Sequence, residues 1–142
     1  MLSVMCSSIM EFPRKVQAVI DQLKAESCSE SVWLIGSRAN GKVRPDSDWD
    51  FICFRNSAVE EREARSRLVD IVQVSTDGQY LLEGQHYNLT GQFEHWQWHE
   101  IDSQHAQYKN RVTPKIEAGA AFDLSDAKIV TNNAYKVWDR DA

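Results

Sequence analysis

With 142 residues and a mass of 16.3 kDa, the chain is read as one domain, 1–142, long enough to bury about two-thirds of its unfolded surface. A net charge of −5 argues against broad nucleic-acid binding, which Lys and Arg mostly carry. No apolar stretch is long enough for a membrane span, and residues 1–10 lack the basic and apolar regions of a signal peptide, so a cytoplasmic location is expected. Cys6, Cys28 and Cys53 are far apart, with no metal-binding spacing, and read as free thiols, Cys53 in the core.

In chain order, Val16, Val19, Ile20 and Leu23 recur at helical spacing, which predicts a helix over 13–26 with Pro13 in its first turn. Residues 32–35 form a short apolar strand ended by Gly36, and Ser37 is a competent cap for a short helix. Residues 40–47, with Gly41 and Pro45, are a turn-rich loop. Residues 49–54 are almost continuously apolar, the pattern of a central strand. Residues 58–68 are highly charged, and the pairs Glu61/Arg65 and Glu63/Arg67 predict an exposed helix. Residues 69–74 are β-branched and predict a third strand, ended over 75–78. From 79 to 110 the pattern is poor, and a helix over 93–110 is the reading adopted. A short helix over 113–118 closed by Gly119, a strand or turn within 123–130 and a helical turn over 134–138 complete the pass. Residues 12–122 then make the core and 123–142 an extension.

The chemistry concentrates in two places. Gly36-Ser37 ends an apolar run, and after ten residues Asp48-Trp49-Asp50 opens another. Two carboxylates at i and i+2 on a strand share a face, where at 4 Å they repel by roughly 4 kcal/mol at an effective dielectric near 20. Such a pair at the mouth of a buried strand suits a cation. Asp70, on the next predicted strand, reaches the same place if the two strands are neighbours about 4.8 Å apart. Three carboxylates are a ligand set for magnesium, and a Gly-Ser turn with free N–H groups attracts phosphate. These are the parts of a two-metal phosphoryl or nucleotidyl transfer site, with Asp70 as proton acceptor. An isolated Asp-x-Asp is also what a solvated strand end looks like, and Asp70 also reads as a surface residue ending the 58–68 helix. Arg38 and Lys42 read equally as phosphate-binding or as solvated cations. His95, His99 and His105 miss the HExxH spacing and have no Cys nearby, so they read as a solvated or acceptor-contacting face. Trp33, Trp96, Trp98 and Trp138 read as core or interface anchors before base-stacking platforms.

Gly36-Ser37, ten residues, Asp48-x-Asp50 and the later Val69-Asp70-Ile71-Val72 resemble the DNA polymerase β-type nucleotidyltransferase superfamily, and most of all its minimal members. Ile116-Glu117-Ala118-Gly119-Ala120-Ala121-Phe122 is similar, less specifically, to the short helix and Gly that close such domains. The resemblance implies an α/β (α+β) fold, a mixed central sheet flanked by helices. It implies transfer of a nucleoside monophosphate, AMP from ATP above all, to an acceptor hydroxyl with release of pyrophosphate. Asp48, Asp50 and Asp70 would bind two Mg2+ ions, and Gly36, Ser37, Arg38 and Lys42 the nucleoside triphosphate. Trp49 replaces the smaller aliphatic residue of many members, but its side chain is expected to face away from the acids. Minimal members are often paired with a small helical toxin of the HEPN class, which makes a helical protein a candidate acceptor; a homo-oligomer stays open. The alternative is a catalytically silent binding module that neutralises such a partner by contact.

Overall fold

The computed structural model describes residues 11–41, 47–84, 90–112 and 128–141. Helix α1 (Arg14–Ala25) follows Pro13, whose carbonyl accepts the Gln17 N–H at 2.9 Å. The expected stripe of Val16, Val19, Ile20 and Leu23 is its buried face. Strands β1 (Ser29–Ile35), β2 (Trp49–Arg55) and β3 (Val69–Val74) also stand where the apolar runs place them. After them come β4 (Gln79–Leu82), β5 (Thr90–Gln92), a single 3-10 turn (Phe93–Trp96), β6 (His99–Glu100), β7 (His105–Val112) and β8 (Lys128–Asp139).

The strands make one mixed sheet in the order β5-β4-β3-β2-β1-β8-β7-β6. Within it β2 and β3 run parallel, and the other described pairs are antiparallel. Alternation along the strands sends two sets of side chains to opposite faces. Helix α1 packs on one face against Val32, Leu34, Phe51, Val69 and Ile71. The other face is aromatic: Trp33, Ile35, Ile52, Val74, Phe93 and Tyr108 are buried there, with Trp96 and Trp98 packed against them.

A mixed sheet is therefore present, but among the described residues α1 is the one α-helix, and the sheet dominates. The turn at 37–41 does not continue into the predicted helix: the N–H groups of Ala39 and Asn40 both donate to the Gly36 carbonyl, each at 3.1 Å, and the chain then leaves. Residues 58–68 are irregular rather than helical. Arg65 does not pair with Glu61 on a helix surface but is buried, bonded to Glu26 and to Glu83. The backbone of that segment finds its partners elsewhere, the Glu60 N–H donating to Gln73 Oε1 at 2.8 Å and the Arg62 carbonyl accepting the Gly84 N–H at 2.8 Å. Of the helix expected over 93–110 only the 3-10 turn at 93–96 is present, and 134–138 is strand. β8 pairs with β1 on one side and β7 on the other, and this two-sided pairing overrides weak local preference. The short helix and closing glycine expected over 113–122, together with Lys42 and Cys6, lie outside the described residues.

Candidate active site

Register brings the acids together. In the parallel β2/β3 pair Asp50 stands directly opposite Asp70, and in the antiparallel β1/β2 pair it stands opposite Ile35, the residue before Gly36. Asp50 and Asp70 therefore share the aromatic face with Ile52 and Val72. Their carboxyl groups are within hydrogen-bonding reach and line one cavity of about 450 Å3 with Gly36, Trp96 and Tyr108. Asp48 lies just ahead of β2 and is exposed, yet its charge is still felt at Asp50. Among the described residues no group of three or more His, Cys, Asp or Glu side chains is gathered as a metal site: Asp50 and Asp70 converge, and Asp48 acts on Asp50 through its charge.

Burial, then the charge of Asp70, a hydrogen bond to it, and the charge of Asp48 push Asp50 up to about 7 from an ordinary 3.8. The metal-free folded state thus holds a proton through a pH window in which the unfolded chain has already released it. The stability from this group is present below pH 3.8 and is lost as pH rises through about 7. In EDTA-treated protein, Asp50→Asn is expected to gain melting temperature over the parent at pH 8 and to gain little at pH 5. Equal differences at both pH values would contradict the shift.

Gly36 shows why no other residue serves at the end of β1. Its φ is +77°, and a Cβ built on it would lie 2.3 Å from Oδ2 of Asp50. The glycine lets the main chain pass against the acid. Its N–H donates to the Tyr108 hydroxyl at 3.3 Å, and that buried phenol is raised by burial, with a contribution from the Asp50 charge. Asn40 locks the turn: its Nδ2 donates to the Gly36 carbonyl at 3.1 Å, and its Oδ1 accepts the Asn133 N–H on β8 at 2.8 Å. Ser37 is half-buried in this turn.

Arg38 is turned elsewhere. Its Nε and Nη2 donate to the Ser47 carbonyl at 3.2 and 2.8 Å, and its guanidinium lies 4.1 Å from the centre of the Trp49 ring. Trp49 packs on the helix face, edge-on to Phe12 at 5.4 Å, away from the acids. Arg38 therefore clamps Ser47, just before β2, to the turn after β1. His95 lines the acid cavity, His105 pairs with Asp102 at 2.9 Å, and His99 lies on β6. Tyr108 was missed because 93–110 reads as helix. Strand alternation over Ala106 and Tyr108, both buried, is the signal that would have placed it.

A family model described as a nucleotidyltransferase domain matches residues 16–132, most of the chain. The chain belongs to that family. No curated protein and no solved structure matches it. Nucleotidyltransferase domains generally use a nucleoside triphosphate and a divalent metal, and the residues of this one fit a hard cation: two carboxylates crowd together in a half-buried cavity, and burial with the neighbouring acid charges pushes the pKa of Asp50 up to about 7. Among the described residues of this nucleotidyltransferase domain, no helix is long and apolar enough to cross a membrane.

Proposed function

We propose that this nucleotidyltransferase domain moves a nucleoside monophosphate, AMP from ATP in the first instance, to a hydroxyl on a protein or small molecule. The observation that carries the reading is Asp50 opposite Asp70 on adjoining parallel strands, facing a cavity edged by the Gly36 turn. Asp50 and Asp70, with Asp48 just ahead of β2, would hold magnesium, which when bound offsets phosphate charge and acidifies the acceptor hydroxyl. Asp70 takes the proton of that hydroxyl. The acceptor oxygen then bonds to the α-phosphorus, the bond from α-phosphorus to the bridging oxygen breaks, and pyrophosphate leaves with the electron pair. The Gly36-Ser37 turn receives the triphosphate, and for its N–H to reach phosphate, the Gly36 amide must exchange the Tyr108 hydroxyl for a phosphate oxygen. Arg38 supports this turn from the far face, and Lys42 follows it in sequence as a further phosphate contact.

The test is transfer of label from ATP, with Mg2+, to candidate acceptors that include a tyrosine-bearing helical protein of HEPN type and free small hydroxyl compounds. Asp48→Ala/Asp50→Ala is expected to lose transfer. It is also expected to lose the rise in melting temperature that saturating Mg-ATP gives the parent, which at a hundred times Kd corresponds to about 2.7 kcal/mol. Transfer and thermal shift that persist unchanged in the double variant would overturn the reading.

A further inference from the structure

The cavity that holds the two acids also has an apolar lining that the proposed chemistry leaves unused. Ile35, Val72 and Leu82 supply aliphatic surface, and Trp96 supplies an indole. The aromatic face spends its other tryptophans differently. Trp33 is fully buried, edge-on to Trp98 at 5.1 Å, and Trp98 packs against Phe54 and Phe93 at 5.3 and 5.7 Å. Trp96 is held by Phe93 at 5.1 Å and by Tyr80 and Tyr108 at 5.4 Å each, yet stays half-exposed on the cavity side. Its backbone belongs to a one-turn 3-10 helix that ends at Gln97 with φ 52°, a left-handed conformation that side-chain-bearing residues seldom adopt. The fold thus presents a braced indole in the cavity that Asp50 and Asp70 also line.

Charge says what such a lining accepts. Lys109 and His95 also line the cavity and are the side chains suited to phosphate charge, whereas the aliphatic and aromatic part offers polyphosphate nothing and suits a planar ring with little negative charge. A cavity of about 450 Å3 also falls in the range that holds a small-molecule group.

We infer that Trp96 is the stacking shelf for an aromatic ring of the substrate, holding that ring in the cavity lined by Asp50 and Asp70. This rests on the nucleotidyl-transfer reading above. The ring has two sources, the base of the nucleoside triphosphate or a phenolic acceptor, and the test separates them.

Binding of ATP, of inorganic tripolyphosphate and of N-acetyltyrosinamide, each with Mg2+, is measured by calorimetry on the parent and on Trp96→Leu. Tripolyphosphate has no ring and reports the phosphate site alone. If the ring is the base, Trp96→Leu weakens ATP by about tenfold or more and leaves tripolyphosphate unchanged. If the ring is the acceptor's, the same variant loses N-acetyltyrosinamide by that factor and keeps both phosphates. A Trp96→Leu protein that binds all three as the parent does overturns the inference and leaves the function standing. A parent that binds neither ATP nor tripolyphosphate overturns both. Trp96→Phe, which preserves a ring in the cluster, covers the case in which the leucine variant does not fold. The quenching of indole emission by the ring-bearing ligand should disappear in it while tripolyphosphate affinity holds, and undiminished quenching refutes the shelf.

Discussion

Gly36→Ala is expected to lower nucleotidyl transfer by about a hundredfold, the order of loss that follows from moving a reacting group by about 1 Å. The methyl group would sit 2.3 Å from Oδ2 of Asp50, well inside van der Waals contact, so the carboxylate or the turn has to move. Either movement spoils the site, because Asp50 is set against Asp70 by strand register and the turn is pinned by Asn40 to β8. The variant also puts a side chain at φ +77°, a strain of about 1–2 kcal/mol. Steady-state kinetics alongside thermal melting separate the two effects. A folded Gly36→Ala protein with activity within threefold of the parent would show that the close approach of glycine and acid has no catalytic consequence. Gly41→Ala is the control: it too has a positive φ, +73°, but a methyl there meets nothing within 4 Å, so it bears the conformational strain alone.

Arg65→Ala should cost about 3–5 kcal/mol of folding stability, the range for removing one partner from a buried ion pair. The Arg65 side chain is 2% exposed and the Glu83 side chain 1%. Arg65 Nε and Nη2 donate to the two oxygens of Glu83 at 2.8 and 3.0 Å, and Nη1 binds Glu26 at the end of α1. Burial disfavours the guanidinium charge, but the hydrogen bonds it donates to Glu83 and Glu26 outweigh that and raise its pKa. Gln73, itself buried, donates to Glu83 at 2.8 Å and accepts from Arg55 at 2.9 Å. Without Arg65, Glu83 is left charged in the interior, and the crossover between β2 and β3 loses its anchor to the helix. Urea unfolding at neutral pH measures the loss, and a change below about 1 kcal/mol would mean the charges are solvated in the native state. Glu83→Gln in the Arg65→Ala background should recover part of the loss, since it removes a buried carboxylate left with only the half-exposed Arg62 at 3.9 Å and Gln73 as partners.

Legibility followed the physics of each segment. The helix stripe from Val16 to Leu23 and the strands at 32–35, 49–54 and 69–74 bury their apolar residues in the simplest periodicities, and the structure forms α1, β1, β2 and β3 there. The Gly-Ser turn and the two-acid motif carry family chemistry in local spacing, and the family match covers both. Residues 58–68 misled because surface charge and buried charge look alike in sequence: Arg65 was read beside Glu61, but its partners, Glu26 and Glu83, are 39 and 18 positions away. Residues 93–110 misled because the segment changes backbone conformation twice, from 3-10 turn to the short edge strand β6 to the long strand β7 paired on both sides, and no single period runs through it.

What local spacing determined by itself was the membership of the reactive group: a strand end with Gly36, a strand start with Asp48 and Asp50, and a strand bearing Asp70. Whether Asp70 met Asp50 was a matter of which strands became neighbours and in what register. That choice was made by the sheet order, by the buried Arg65 link across the crossover, and by two cores that clamp opposite faces of the strands. The placing of Tyr108 and Trp96 in one cavity with the acids was likewise a tertiary decision, because long-range strand pairing draws its energy from partners that no short window of sequence contains.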